Sequence, residues 1–290
     1  MSSINGEVLS TQKIVDSGSS AIRWDLVVMG DGYVSADIAK YEQDVATIVD
    51  AILKTPPFDV LRSAINVHRV NVASVESGAG DLCAGTSRAT FFGSTFCASG
   101  IPRLLVCDTT EALTVAYEAV PEMNAALLVV NSVTYGGSGG AVPVFSLAPG
   151  AFEIALHEMG HSHFGLADEY PYLRDCREPD HARYDGVEPY EPNVTARLDP
   201  LKWADAVTPD IAVPTTTNRN CDECDTQPSP VATTAVGAFE GAGYYRCGAY
   251  RPQYNCRMRS LGFPFCAVCQ QTIRRVLAPF IQSRRRPVRS

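Results

Sequence analysis

Apolar positions in the first half of the chain come in short, dense runs separated by turn residues. Residues 24–29 (WDLVVM) form a nearly continuous apolar run closed by Gly30-Asp31-Gly32. That pattern predicts a buried strand ending in a turn. From 35 to 53 the apolar residues Ile38, Tyr41, Val45, Ile48, Val49 and Ile52 recur at helical spacing, and Pro56-Pro57 ends the helix. Residues 65–73 (INVHRVNVA) alternate like a half-buried strand, and 103–107 read as a short one. A helix follows over 109–120, stopped by Pro121, then a buried strand over 125–130 (AALLVV) and a short strand over 141–145. Strands alternating with helices predict an α/β (α+β) layer built on a mixed, twisted sheet.

Past residue 170 the texture changes. Residues 171–235 are rich in Pro, Asp, Thr and Cys with little periodicity, which predicts long ordered loops. Helical spacing resumes over 265–280 through Val268, Ile273, Val276 and Leu277. The expected organisation is an N-terminal segment 1–23, an upper α/β lobe 24–170, a loop-rich, Cys-containing lower lobe 171–283 ending in a C-terminal helix, and a basic tail 284–290.

Composition narrows the class. The 290 residues are 46% hydrophobic and 19% charged with a net charge of −8. An acidic chain whose one basic run is terminal has no general affinity for nucleic acid. No stretch is long and apolar enough to span a membrane, and a monomer is expected. Ten cysteines, an even number lying largely in loops, favour disulfides and an exported protein. The start, MSSINGEVLSTQKIVDSG, lacks the basic and apolar regions of a signal peptide. We read the chain as a mature form of an extracellular protein; the alternative is that several thiols are reduced or bind metal. Cys221-x-x-Cys224 and Cys266-x-x-Cys269 read first as disulfide cysteines and second as a four-thiolate zinc site, whose long internal gap is atypical.

Three of the five histidines fall within seven residues, in GAFEIALHEMGHSHFGLADEYPYL at 150–173. Phe152, Ala155, Leu156, Met159 and His163 form one helical stripe that should face the core. His157 and His161 are one turn apart, roughly 40° around the axis, and can share one metal ion. Glu158 flanks them. H-E-x-x-H on a helix supplies two zinc ligands and a carboxylate able to take a proton from water. A helix carrying these groups into a plain core would leave two imidazoles and a carboxylate needing other partners. His163 points away from His157 and is assigned to packing.

A catalytic zinc needs a third protein ligand. On a straight helix Asp168 would lie ~16 Å along the axis from His157, out of reach. The helix must break, and Gly165 permits it by taking a left-handed C′ conformation. Asp168 or Glu169 can then turn back to the metal; Asp168 is preferred, and the other carboxylate can orient a ligating histidine.

This stretch resembles the active-site signature of the IgA-peptidase-type metallopeptidases, a family related to the metzincins with an acidic residue in place of their third histidine. WDLVVMGDGY at 24–33, INVHRV at 65–70, VNSVTYGGSGG at 130–140, FEGAGYYRCGAYRPQYNCRMRS at 239–260 and PFCAVC at 264–269 are similar to its other recurring segments. The glycine falls four residues after the second histidine, where metzincins have three. The resemblance implies a metzincin-like fold and a zinc endopeptidase with His157, His161 and Asp168 on the metal and Glu158 as general base. It also places Met258 as the hydrophobic floor beneath the metal. Tyr254, Arg259 and Tyr170 are candidates for stabilising the oxyanion. The Gly-rich segment 135–140 lacks the Lys-Ser/Thr of a phosphate loop; it reads either as a cleft-edge strand for an extended substrate or as a flexible loop. The alternative function is a catalytically silent, metal-binding recognition module of the same fold.

Overall fold

The computed structural model describes residues 2–281; Met1 and the basic tail 284–290 lie outside them. The chain forms two compact units, one running to His163 and resuming at Arg274, the other covering Phe164–Ile273.

The first unit is built on a seven-stranded sheet. In chain order its elements begin with β1 (Ser2–Ser3), β2 (Gly6–Val15), β3 (Trp24–Asp31), α1 (Ile38–Lys54), α2 (Phe58–Leu61) and β4 (Ile65–Ser74). A short side pair, β5 (Gly80–Asp81) and β6 (Thr95–Phe96), precedes α3 (Thr109–Ala119) and β7 (Ala125–Val130). β8 (Gly137–Ser138), β9 (Val144–Ser146) and α4 (Ala151–Ser162) follow. The sheet order is β1-β2-β4-β3-β7-β9-β8. β4, β3, β7 and β9 are parallel, while β2 and β8 add antiparallel strands on either side. The sheet is therefore mixed, as the alternation of strand and helix predicts.

Burial explains why some strands read clearly. Every residue of β3 and β7 is buried, as expected of parallel strands covered on both faces. β4 is buried along nearly its whole length and not on alternate residues, because it pairs between β2 and β3. α1 packs Tyr41, Val45, Ile48, Val49 and Ile52 inward, and the Tyr41 hydroxyl reaches Val28 O at 2.9 Å and Val70 O at 3.0 Å. That satisfies the one polar atom of a fully buried ring.

One local expectation needs correcting, and one strand lies where the sequence gives no expectation. Residues 103–107 form no strand; Val106 and Leu104 make only isolated bridges, to Thr95 and Gly137. The N-terminal segment contains the ten-residue strand β2, which has five exposed and five partly buried residues and carries no apolar alternation.

The second unit is loop-rich. Its regular elements are the hairpin of β10 (Phe239–Ala242) and β11 (Tyr245–Arg251) and the first part of α5 (Ala267–Leu277), inside which the division between the units falls. Residues 171–235 hold only short 3-10 turns. Disulfides Cys176–Cys224 and Cys221–Cys247 staple this region, across 48 and 26 residues. Loops of that length are worth about 3–4 kcal/mol each in the chain-entropy account. In the first unit Cys83 pairs with Cys97. Cys221 and Cys224 thus enter two separate disulfides, which rules out a four-thiolate site with Cys266 and Cys269. The latter two are not disulfide-bonded.

Candidate metal centre

α4 starts after Gly150, which has φ 79°, and buries Ile154, Ala155, Leu156 and Met159. These small and apolar side chains fix the helix against the sheet and turn its opposite face outward. His157 and His161 lie on that face, half-buried, with ring centroids 4.8 Å apart and planes at 84°. Their Nε2 atoms are 3.1 Å apart. Two nitrogens bound tetrahedrally to one zinc at about 2.1 Å would be ~3.4 Å apart, so this pair is close to the spacing such an ion needs.

Glu158 lies against the glycine-rich segment that the sequence offers as a cleft edge. A Cβ built on Gly139 would sit 2.1 Å from Glu158 Oε2 and 3.0 Å from its Cδ. The glycine-rich segment therefore runs directly against the carboxylate, and a side chain at Gly139 would push the carboxylate from this position. The same segment supplies β8, the terminal strand of the sheet, and a Cβ on Gly137 would collide with Ile154 of α4 at 2.8 Å. α4 and an edge strand thus lie side by side with Glu158 facing the strand.

His163 caps the C-terminus of α4, and its ring meets Trp24 edge-on at 6.1 Å. Burial lowers its pKa to about 4, keeping the ring neutral. Packing, as expected, is its role. Gly165 does take the left-handed conformation, with φ 62°. It stands two residues beyond the His163 cap and not at C′, so the helix stops before the glycine and the chain turns at it.

Within the second unit, residues 167–170 are pinned rather than solvated. Asn193 holds both polar groups of the Ala167 backbone, at 2.8 and 2.9 Å, and donates to Glu169 Oε1 at 2.9 Å. The Glu169 amide donates to Met258 O at 2.7 Å. Asp168 is 5% exposed; its carbonyl accepts from Gly243 and its carboxylate accepts from the Tyr244 hydroxyl. Tyr244 occupies the tight turn between β10 and β11 with a left-handed φ of 74°. Nothing in the sequence marks it beyond a non-glycine residue at a turn. The Tyr170 ring packs on Tyr244 at 5.4 Å, and burial together with the Asp168 charge raises its phenol above the ordinary range.

Of the other expected donors, Tyr254 gives its hydroxyl to Gln227 O, and Arg259 donates to Tyr254 O and Asn255 Oδ1. Both are engaged within the second unit. Glu169 is turned toward sulfur, 3.7 Å from Cys266 Sγ and 3.3 Å from Cys269 Sγ, which does not suit the role of orienting a histidine. Met258 is fully buried.

No curated protein matches the chain. A family model does: that of IgA Peptidase M64 matches residues 12–228 and 227–277, which takes in both compact units, the histidine helix and the acidic turn that follows it. With the match extending over nearly all of the described chain, the protein belongs to the IgA peptidase M64 family and is a peptidase.

Proposed function

We propose that the protein is a zinc-dependent endopeptidase. The observation that carries this reading is the pair of imidazole nitrogens 3.1 Å apart on one face of α4, with Glu158 between them in sequence, in a chain of a peptidase family. His157 and His161 hold the ion and Asp168 is its third protein ligand. When bound, zinc supplies Lewis acidity to the scissile carbonyl and brings water toward ionisation near pH ~7. Glu158 takes the proton of the attacking water and returns it to the leaving amine. The glycine-rich segment lies beside Glu158 and forms the cleft edge along which an extended peptide is positioned, with its scissile bond against the carboxylate. Tyr244 holds the Asp168 carboxylate in one orientation. Met258 is the adaptable apolar floor of the metal-binding site. A protein substrate follows from the family, and three disulfides support an extracellular site of action.

The test is cleavage of an unfolded protein by the purified full chain. Cleavage should stop on adding a strong chelator and return with zinc; cleavage indifferent to chelation would overturn the reading. A second outcome is expected for Gly139→Ala. The new methyl group displaces the Glu158 carboxylate, the mobile end of a side chain, and spares the backbone. kcat should fall about 10²-fold, as for a misplaced catalytic group, while metal content and melting temperature stay at wild-type values. An unchanged kcat would mean that the carboxylate beside Gly139 is not the base.

A further inference from the structure

Four buried side chains of the second unit converge at a point that the peptidase chemistry does not use. Glu169, Cys256, Cys266 and Cys269 each bring one donor atom within 4.8 Å of the other three. Their exposures run from 0 to 3%. Cys256 Sγ lies 3.7 Å from Cys269 Sγ, Cys266 Sγ 3.7 Å from Glu169 Oε1, and Cys269 Sγ 3.3 Å from the same oxygen. A tetrahedral zinc with sulfur at ~2.3 Å and oxygen at ~2.0 Å has sulfur–sulfur edges of ~3.8 Å and sulfur–oxygen edges of ~3.5 Å. We propose that these residues form a second, structural zinc site, Cys256, Cys266, Cys269 and Glu169, closed to solvent and distinct from the peptidase centre.

Three further observations point the same way. The sulfurs accept backbone N–H groups as thiolate ligands do: Cys256 from Met258 at 3.4 Å and Cys266 at 3.2 Å, and Cys266 from Cys269 at 3.4 Å. Cys266 sits just before the first residue of α5 and Cys269 in its first turn, where the helix N-terminus favours negative charge. The second oxygen of Glu169, Oε2, is buried with no hydrogen-bond partner, an arrangement that is costly without a cation. Three thiols cannot all be satisfied by one disulfide, and the 3.7 Å separation of Cys256 and Cys269 is a ligand spacing and not a bond. Four protein ligands leave no open position, so the ion holds structure and does no chemistry. It would tie the Met258 segment, the start of α5 and the acidic turn together.

The experiment is metal counting on the full-length protein with and without its histidine pair. Wild type is expected to carry two zinc ions, and His157→Ala/His161→Ala one. Cobalt loaded into that double variant should give the intense near-ultraviolet band of thiolate-to-cobalt charge transfer. Cys256, Cys266 and Cys269 should resist alkylation until the protein is unfolded in chelator, and then all react. Because a variant can fail to fold, the alkylation and cobalt measurements are repeated on wild type. A wild-type protein with no thiolate–cobalt band, or a disulfide joining any two of the three cysteines in the non-reduced peptide map, would overturn the site. Failure of the peptidase reading alone would instead leave one zinc and the thiolate band in wild type.

Discussion

Glu158→Gln is expected to lower kcat for peptide hydrolysis by about 10³-fold, within the range for losing a general base. The amide matches the carboxylate in size, so it should occupy the same space beside Gly139 without pushing on the edge strand. It has no basic oxygen to take a proton from water. Its effect should therefore appear in kcat and not in KM, because the strand that receives the substrate is untouched. Zinc content is expected to remain that of wild type, since Glu158 flanks the metal ligands and is not one of them. The measurement is steady-state hydrolysis of a quenched peptide alongside elemental analysis of the same preparation. Activity above a tenth of wild type would remove Glu158 from the proton-transfer role. Zinc lost together with activity would make it a ligand.

Legibility in the sequence followed burial. β3, β7 and α1 could be read because their apolar runs reflect a core that covers them, and the H-E-x-x-H helix could be read because ligand spacing and helical pitch coincide. β2 could not, since a strand with no buried residue leaves no periodic trace. The glycine-rich segment was legible as a cleft-edge strand, but not its pairing with β9 or its close approach to Ile154, which leave no periodic trace in two residues. The turn at Gly165 was legible from chain geometry, but the contacts that hold the acidic pair were not. Asn193 and Tyr244 reach it from 24 and 76 residues away along the chain, distances over which a single sequence carries no pairing signal. The cysteines illustrate the same limit. Their number implied pairing and left metal open, yet Cys221 and Cys224 found other partners, and Cys266 and Cys269 gathered beside Cys256 and a carboxylate.

The third ligand is where the two acidic neighbours must be told apart, and Asp168→Ala does so. Asp168 and Glu169 are adjacent and buried, but different donors hold them: Tyr244 meets the Asp168 carboxylate, while Asn193 and the sulfurs of Cys266 and Cys269 surround Glu169. Asp168→Ala deletes an anionic oxygen ligand and is expected to weaken zinc binding at His157 and His161 by at least about 10²-fold, beyond the usual cost of losing a group that only supports a ligand. Hydrolysis should fall to the level of the chelated enzyme and recover in part at high zinc concentration. Tyr244→Phe keeps the ring packed on Tyr170 and removes only the hydroxyl, so the ligand stays but its orientation is no longer fixed. A loss of about 10-fold to 100-fold in zinc affinity is expected there. Competition with a chromophoric chelator measures both. The ordering of the two variants is the discriminating result, since a ligand must cost more than its support. If Asp168→Ala binds zinc at His157 and His161 as tightly as wild type does, the ion is completed by another group, and the role of the acidic turn shrinks to holding Glu169 in place.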